Sequence, residues 1–309
     1  MSYVLESGNE NSKVIHITSG DAHKLGDGFL QYNLESPIIC PSNQDTLVSL
    51  YSCIVPYSFY NIREGVDDKI WYSVVGSSTQ ASVTIPQGSY TINSLQSKLK
   101  TLLDTIINVS TSSTVTFDRV TMKFTYNIPQ HSGANQIYFN WSGKLDGAEI
   151  AMGFTKQGMT SVSGFTSLVS DNVPDVNGGV HSVNIRTNLT SKGSIDSQTK
   201  SYSTILGTMP IDVNFGGVIF FRPADAIHKI IVSGREIKQI IVRLTDDRDR
   251  LLNLNGLDFN ITILIDHIKH NRNTERRRVI KPEQIEVKKR GRPPKQDQTK
   301  KDIRIPLIN

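Results

Sequence analysis

Two cysteines, two tryptophans and no long apolar run mark what the 309-residue sequence does without. Cys40 and Cys53 both lie in apolar stretches. They read as buried thiols, and so few of them exclude a disulfide-stapled scaffold. No stretch approaches the roughly 18–20 apolar residues that a membrane helix needs, so no membrane span is expected. The opening Met1-Ser2-Tyr3-Val4-Leu5-Glu6 has no basic-then-apolar signal architecture, and the protein is expected to be made and used without secretion. Four Asn-x-Ser/Thr sequons, at Asn108, Asn140, Asn188 and Asn260, carry no weight on that expectation.

Chemistry-bearing motifs are also missing. The seven histidines are His16, His23, His131, His181, His228, His267 and His270. No two stand four residues apart as a helical metal pair would, and none accompanies a cysteine pair, so no metal site is expected. There is no Gly-x-Ser-x-Gly elbow, no phosphate-binding P-loop and no dinucleotide fingerprint. No carboxylate pair stands out as general acid and base. Neither an enzyme nor a cofactor is expected. The cluster Asp246-Asp247-Arg248-Asp249-Arg250 crowds oxygen ligands as a calcium loop does, but it reads better as a polar hairpin tip whose arginines neutralise its acids.

What is present is alternation. Between residues 180 and 268, His181, Val183, Ile185 and Thr187 alternate with polar neighbours, and Phe259, Ile261, Ile263 and Ile265 do the same. Period two marks a strand with one buried face. Gly216-Gly217, Ser233-Gly234, Asp246-Asp247 and Asn255-Gly256 separate the runs as turn formers do. Many short strands with turns between them point to an antiparallel sandwich or jelly roll. Strands are expected earlier as well, over residues 12–18, 29–34 and 46–55, the last stopped by Pro56.

The middle of the chain differs. Strands are expected over 70–75 and 81–85, then one helix over 94–107. Its Leu95, Leu99, Leu102, Leu103 and Ile106 form one stripe, and Asn93 with Gln96 resembles a capping box. A hairpin around Asp118-Arg119 follows, then a strand carrying Ile137, Phe139 and Trp141, and a helical turn over 148–152 stopped by Gly153. Residues 60–165 thus read as a small α+β insertion. Residues 189–203 have no periodicity and read as a long loop.

The net charge of +5 conceals an asymmetry: residues 269–309 carry +9 and the rest carries −4. A basic tail on a mildly acidic body points to a polyanion or an acidic surface as the tail's partner. Within it, Lys288-Lys289-Arg290-Gly291-Arg292-Pro293-Pro294-Lys295 resembles the AT-hook motif. Gly291 allows close approach, Pro293 keeps the chain extended, and Arg290 and Arg292 suit a narrow A·T-rich minor groove. Lys288, Lys289 and Lys295 would add phosphate contacts. DNA is therefore a candidate partner of the tail. A solvated basic tail is the plainer alternative.

Several blocks together resemble one family. They are Val183-Asn184-Ile185-Arg186-Thr187-Asn188-Leu189, Asp196-Ser197, Ile205-Leu206-Gly207-Thr208-Met209-Pro210 and Gly216-Gly217-Val218-Ile219-Phe220. Ile241-Val242-Arg243-Leu244-Thr245-Asp246-Asp247, Leu254-Asn255-Gly256-Leu257-Asp258-Phe259, Pro86-Gln87-Gly88-Ser89-Tyr90 and Met152-Gly153-Phe154 belong to the same pattern. Over about residues 45–268 the chain resembles the penton, or minor capsid, proteins of virophages and polinton-type viruses, most of all the Sputnik-like virophages. The resemblance implies a mainly β fold: a single antiparallel jelly-roll sandwich with inserted elements, to which the sequence itself adds the small α+β insertion at 60–165 and a basic C-terminal tail that lies outside the family pattern. The divisions are then an N-terminal arm over 1–11, jelly roll over 12–59 and 166–268, the insertion over 60–165 and the tail over 269–309. It also implies a homopentamer at the vertex of an icosahedral shell, beside a double-jelly-roll major capsid protein. Such a protein resides in the virion, is made in the host cytoplasm and has no catalytic residues. Two alternatives compete: a DNA-binding or genome-packaging protein acting through its tail, and a host-attachment module using Trp71, Tyr72 and Trp141, residues whose commoner fate is core packing.

Overall fold

The computed structural model describes residues 12–76, 78–107, 112–128, 136–155, 164–177, 180–189, 195–196, 200–223, 229–232 and 234–269. Residues 270–309 divide off as a second unit and lie outside the described residues. From the N-terminus come β1 (Ser12–Thr18), β2 (His23–Gly26), β3 (Phe29–Ile39) and β4 (Gln44–Pro56). The middle of the chain holds β5 (Lys69–Val74), β6 (Gln80–Thr84), α1 (Ile92–Ile107), β7 (Thr114–Asp118), β8 (Lys123–Asn127), β9 (Ile137–Phe139) and β10 (Ser167–Val169). Then follow β11 (Ser182–Thr187), β12 (Ile195–Asp196), β13 (Ser201–Tyr202), β14 (Ile205–Pro210), β15 (Val218–Phe221), β16 (Ile230–Val232), β17 (Glu236–Thr245) and β18 (Asn260–Lys269). The protein is mainly β, and every pairing between these strands is antiparallel.

Two sheets share one core. The first runs β1-β18-β4-β15, with β16 also on β4; the second runs β14-β11-β17-β3-β2. Alternation decides which side chains meet. Ile261, Ile263 and Ile265 of β18 point inward with Val48, Leu50, Cys53 and Val55 of β4, against Val183, Ile185, Ile240, Val242 and Leu244 of the second sheet. A bulge keeps both strands in phase: Thr262 faces Ser52 and Ile263 faces Leu50, which leaves Tyr51 as the extra residue. Burying each such aliphatic side chain is worth about 1.5–3 kcal/mol. Burial pushes the Cys53 thiol up to about 12 despite a backbone hydrogen bond at Ile54, and both cysteines are free.

The middle segment has its own core. Sheets β6-β5-β9 and β10-β8-β7 pack with α1 around Phe139, whose ring lies 5.2 Å from Trp141, 5.2 Å from Phe165 and 5.7 Å from Phe154. Leu168 and Val176 join this core from beyond residue 165. The helix starts two residues earlier than its Leu stripe suggests. Thr91, not Asn93, caps it: the Ser94 amide donates to Thr91 Oγ1 at 3.3 Å and the Thr91 amide donates to Ser94 Oγ at 2.8 Å. The earlier start adds Ile92 to the packed face. Residues 148–152 form a single turn, with the Met152 amide donating to Ala148 O, and Gly153 ends it at φ +84°. The aperiodic 189–203 stretch contains the short pair β12–β13.

Candidate functional site

Among the described residues, strand β15 has β4 on one side and no strand on the other. Its alternation puts Ile219 in the core and turns Val218 and Phe220 outward, 56% and 63% exposed. On the neighbouring strand Cys53 and Val55 point in, so Ile54 points out. Register places Phe220 directly opposite Ile54 and Val218 opposite Pro56. An apolar strip therefore lies along an open sheet edge. Farther along the same outer face, exposed Ile231 pairs with Leu47 and exposed Val14 with Leu264. Proteins that stay monomeric blunt such edges with charge, proline or cover. A guanidinium beside this strip, that of Arg222, is occupied: it donates to Tyr51 Oη at 2.9 Å and lies 4.7 Å from that ring's centre.

The second concentration of chemistry is a buried ion cluster where the middle lobe joins the sandwich. Asp246 follows β17 and is wholly buried. One of its carboxylate oxygens accepts the backbone amides of Arg248 and Arg250, at 2.9 and 2.8 Å. The other accepts Arg250 Nε at 2.7 Å and Arg63 Nη1 at 3.0 Å. Burial opposes the Asp246 charge, yet these donors outweigh it and hold the carboxyl below its usual range. Arg63 also pairs with Asp67 at 2.9 Å, whose carboxyl burial pushes up in spite of that partner. Asp247 accepts the His181 amide and the Ser182 hydroxyl at the start of β11. Asp249 pairs with buried Arg186 at 2.8 Å.

The acidic run is a hairpin tip, bridged from Thr245 to Leu251 with Arg250 neutralising Asp246, as its sequence suggests, but that carboxylate is buried rather than solvated. It is a junction that holds the end of β17 to the lobe and to β11. Local sequence shows the acids but not Arg63, which lies 183 positions away. Among the described residues no group of three His, Cys, Asp or Glu side chains is arranged to hold a metal ion.

The remaining candidates from sequence fall in two places. Trp141 is fully buried and donates to Lys69 O at 3.3 Å. Trp71 is half-buried, donates to Asp146 Oδ1 at 2.9 Å and is covered by the Lys144 ammonium 3.9 Å from its ring centre. Tyr72 is half-buried against the lobe core. All three pack against the lobe core, the commoner fate expected of them. Lys288, Lys289, Arg290, Gly291, Arg292, Pro293 and Lys295 lie outside the described residues, as do His131, His228 and His270.

The class these features define is a mainly β, antiparallel two-sheet protein with an α+β lobe and an exposed apolar edge. No family model matches the sequence. No curated protein matches it either. Among solved structures, the chain is similar to a selenomethionine-labelled mavirus penton protein, with 11% identity and a TM-score of 0.46, over 83% of this chain and 100% of that one.

Proposed function

We propose that the protein is a structural, non-catalytic capsid protein whose copies form a homopentamer at the vertex of an icosahedral shell, in contact with a double-jelly-roll major capsid protein. The sandwich is read as a single jelly roll. Its connectivity supports this: the chain alternates between sheets through β1, β3, β4, β11 and β14, β15 and β16, β17 and β18. The two sheet orders, β1-β18-β4-β15 and β3-β17-β11-β14, are the interleaved orders that such a roll-up produces. The lobe then occupies the connection between β4 and β11.

The observation that carries the functional reading is the free β15 edge, with Val218, Phe220 and Ile54 side by side in solvent. An open apolar edge strand favours association. A ring joins two different patches of neighbouring copies, and it closes where the rotation between them divides the circle. The family resemblance of the sequence blocks supplies the number five and the location in the virion, with synthesis in the host cytoplasm.

The charge asymmetry of the chain favours a second, compatible role: contact between viral DNA and residues 288–295 of the tail. The test of the main reading is native mass spectrometry of the full chain with electron microscopy of the same sample. A species of five times the 34.4 kDa of one chain, seen as a five-membered ring, is expected. A monomer at every concentration, unable to join shells of the major capsid protein, overturns it.

A further inference from the structure

Where the lobe meets the sandwich there is an open cleft of about 780 Å³, within the size range of small-ligand sites. It takes residues from four segments: Tyr57 after β4, Tyr90 just before α1, Asn177 on the return from the lobe, and Asp212, Asn214 and Phe215 between β14 and β15. The loop bearing Phe215 is held in place. The Gly217 amide donates to Asn214 O at 2.9 Å, closing a turn in which Gly216 takes φ +85°. The Tyr57 amide donates to Gly217 O at 2.9 Å and the Gly216 amide donates to Tyr57 O at 2.8 Å, pinning the turn to the end of β4.

Phe215 is therefore a fixed ring, not a waving one. It stands edge-on to Tyr57 at 5.8 Å and stacked with Tyr60 at 6.3 Å, and it remains 46% exposed. The polar groups beside it are of one kind. Asp212, Asn214 and Asn177 offer a carboxylate and two amides, and their side chains make no hydrogen bond within the described residues. Among the described residues no lysine or arginine lines the cleft. Its histidine, His181, is already paired with Asp175 at 3.2 Å.

We propose that this cleft binds a neutral oligosaccharide, with a sugar ring laid on Phe215 and its hydroxyls taken by Asp212, Asn214 and Asn177. A pyranose has apolar C–H faces and a rim of hydroxyls, each both donor and acceptor. An aromatic face supported from behind suits the first, and planar amides with a carboxylate suit the second. Sulfated, phosphorylated or sialylated ligands need a cation, which the cleft does not offer. This goes beyond the vertex role: the site belongs to one chain and exists whether or not the protein forms a ring.

The test is saturation-transfer NMR on the full-length protein in its native assembly state. The probes are maltohexaose, cellohexaose, chitohexaose and mannohexaose, with sialyllactose and a heparin hexasaccharide as anionic counterparts. At least one neutral probe is expected to bind with micromolar to millimolar affinity. Phe215→Ala and, separately, Asn177→Ala are each expected to weaken it about tenfold, while Phe220→Ala on the free edge leaves it unchanged. Thermal melting of each variant shows whether it is folded, and the two substitutions lie on different segments. Failure of every neutral probe to bind, preference for the anionic ones, or binding untouched by both variants overturns the proposal. An unmutated protein that forms no ring yet binds the glycan would sink the vertex reading and leave this one standing.

Discussion

Arg63 Nη1 lies 3.0 Å from Asp246 Oδ2, joining the first residues of the lobe to the end of β17 in a buried ion pair. Breaking such a pair by removing one partner costs about 3–5 kcal/mol, because the other is left charged and dry. The two truncations differ. Arg63→Ala leaves Asp246 with Arg250 and two backbone amides. Asp246→Ala strips an acceptor from Arg63, from Arg250 and from those amides, and is expected to be the worse, by denaturant unfolding. The depressed Asp246 carboxyl contributes stability that is present above the ordinary carboxylate value of 3.8 and is lost as the pH falls through its lower folded value. Asp246→Ala is expected to remove that part of the acid dependence.

Glu149 works in the opposite sense. It is almost fully buried in the lobe, and neither carboxylate oxygen has a partner among the described residues. Burial raises its pKa from 4.5 to about 7; the nearby amide of its own backbone and Arg248 oppose the rise, and Asp67 and Asp146 add to it. The folded state then binds more protons than the unfolded one. Stability is full below pH 4.5 and drains away as the pH climbs to about 7. Glu149→Gln keeps the shape and removes the titration. It is expected to flatten melting temperature against pH over this window and to gain about 2–3 kcal/mol at pH 8, and a slope unchanged by the substitution contradicts the assignment.

Gly153 ends the single turn at residues 148–152 with φ +84°. A Cβ there would sit 2.7 Å from Asn172 O and 2.8 Å from Ser170 Oγ, and Ser170 in turn accepts the Phe124 amide. Strain and crowding act together, so Gly153→Ala is expected to cost about 1–3 kcal/mol in urea unfolding. Gly65, with a similar φ of +68° but open space around its Cα, pays the strain alone and is expected to lose less.

Phe220 and Ile54 face each other on the open edge, 63% and 38% exposed. A charge there costs the isolated chain within about 0.5 kcal/mol, as surface substitutions do. Buried between copies without a partner, the same charge costs several. Phe220→Lys is expected to leave the melting curve of the single chain in place and to abolish the ring in sedimentation velocity. A ring that survives it assigns the interface elsewhere.

Period-two runs were the legible part of the fold. Residues 12–18 read as a strand from their own alternation and form β1, and the inward set Ile261, Ile263 and Ile265 is visible without coordinates. Where the signal is local the reading succeeds, as with the Leu stripe of α1. It fails where partners are distant. Nothing near Asp246 in sequence announces Arg63, so the charged tip is legible and its burial is not. Trp71 and Trp141 give no local sign of how deeply each is buried, because their partners come from elsewhere in the lobe: Asp146 and Lys144 for Trp71, the Lys69 carbonyl for Trp141. The free edge was illegible for the same reason: Val218 and Phe220 alternate like any core strand, and only the sheet order shows that β15 is last. The cleft aromatics Tyr57, Tyr60 and Phe215 are illegible as a group because they meet across a wide gap in sequence, and only the turn at Gly216-Gly217 announces itself locally.

The tail offers a test that separates the two roles proposed for the chain. Residues 269–309 carry +9 while the remainder carries −4, so the long-range attraction to a polyanion resides in that segment. If Arg290 and Arg292 enter a minor groove, Arg290→Ala with Arg292→Ala is expected to weaken binding to A·T-rich duplex far more than to G·C-rich duplex. If they only neutralise phosphates, both duplexes lose affinity equally and the salt slope falls by about 1 for each contact removed. Fluorescence anisotropy across a salt series distinguishes these outcomes. The apolar edge at Val218 and Phe220 owes nothing to that charge. Deleting residues 270–309 is therefore expected to abolish DNA retention while the five-membered ring persists, and a chain that no longer assembles without its tail would place the interface in the tail instead.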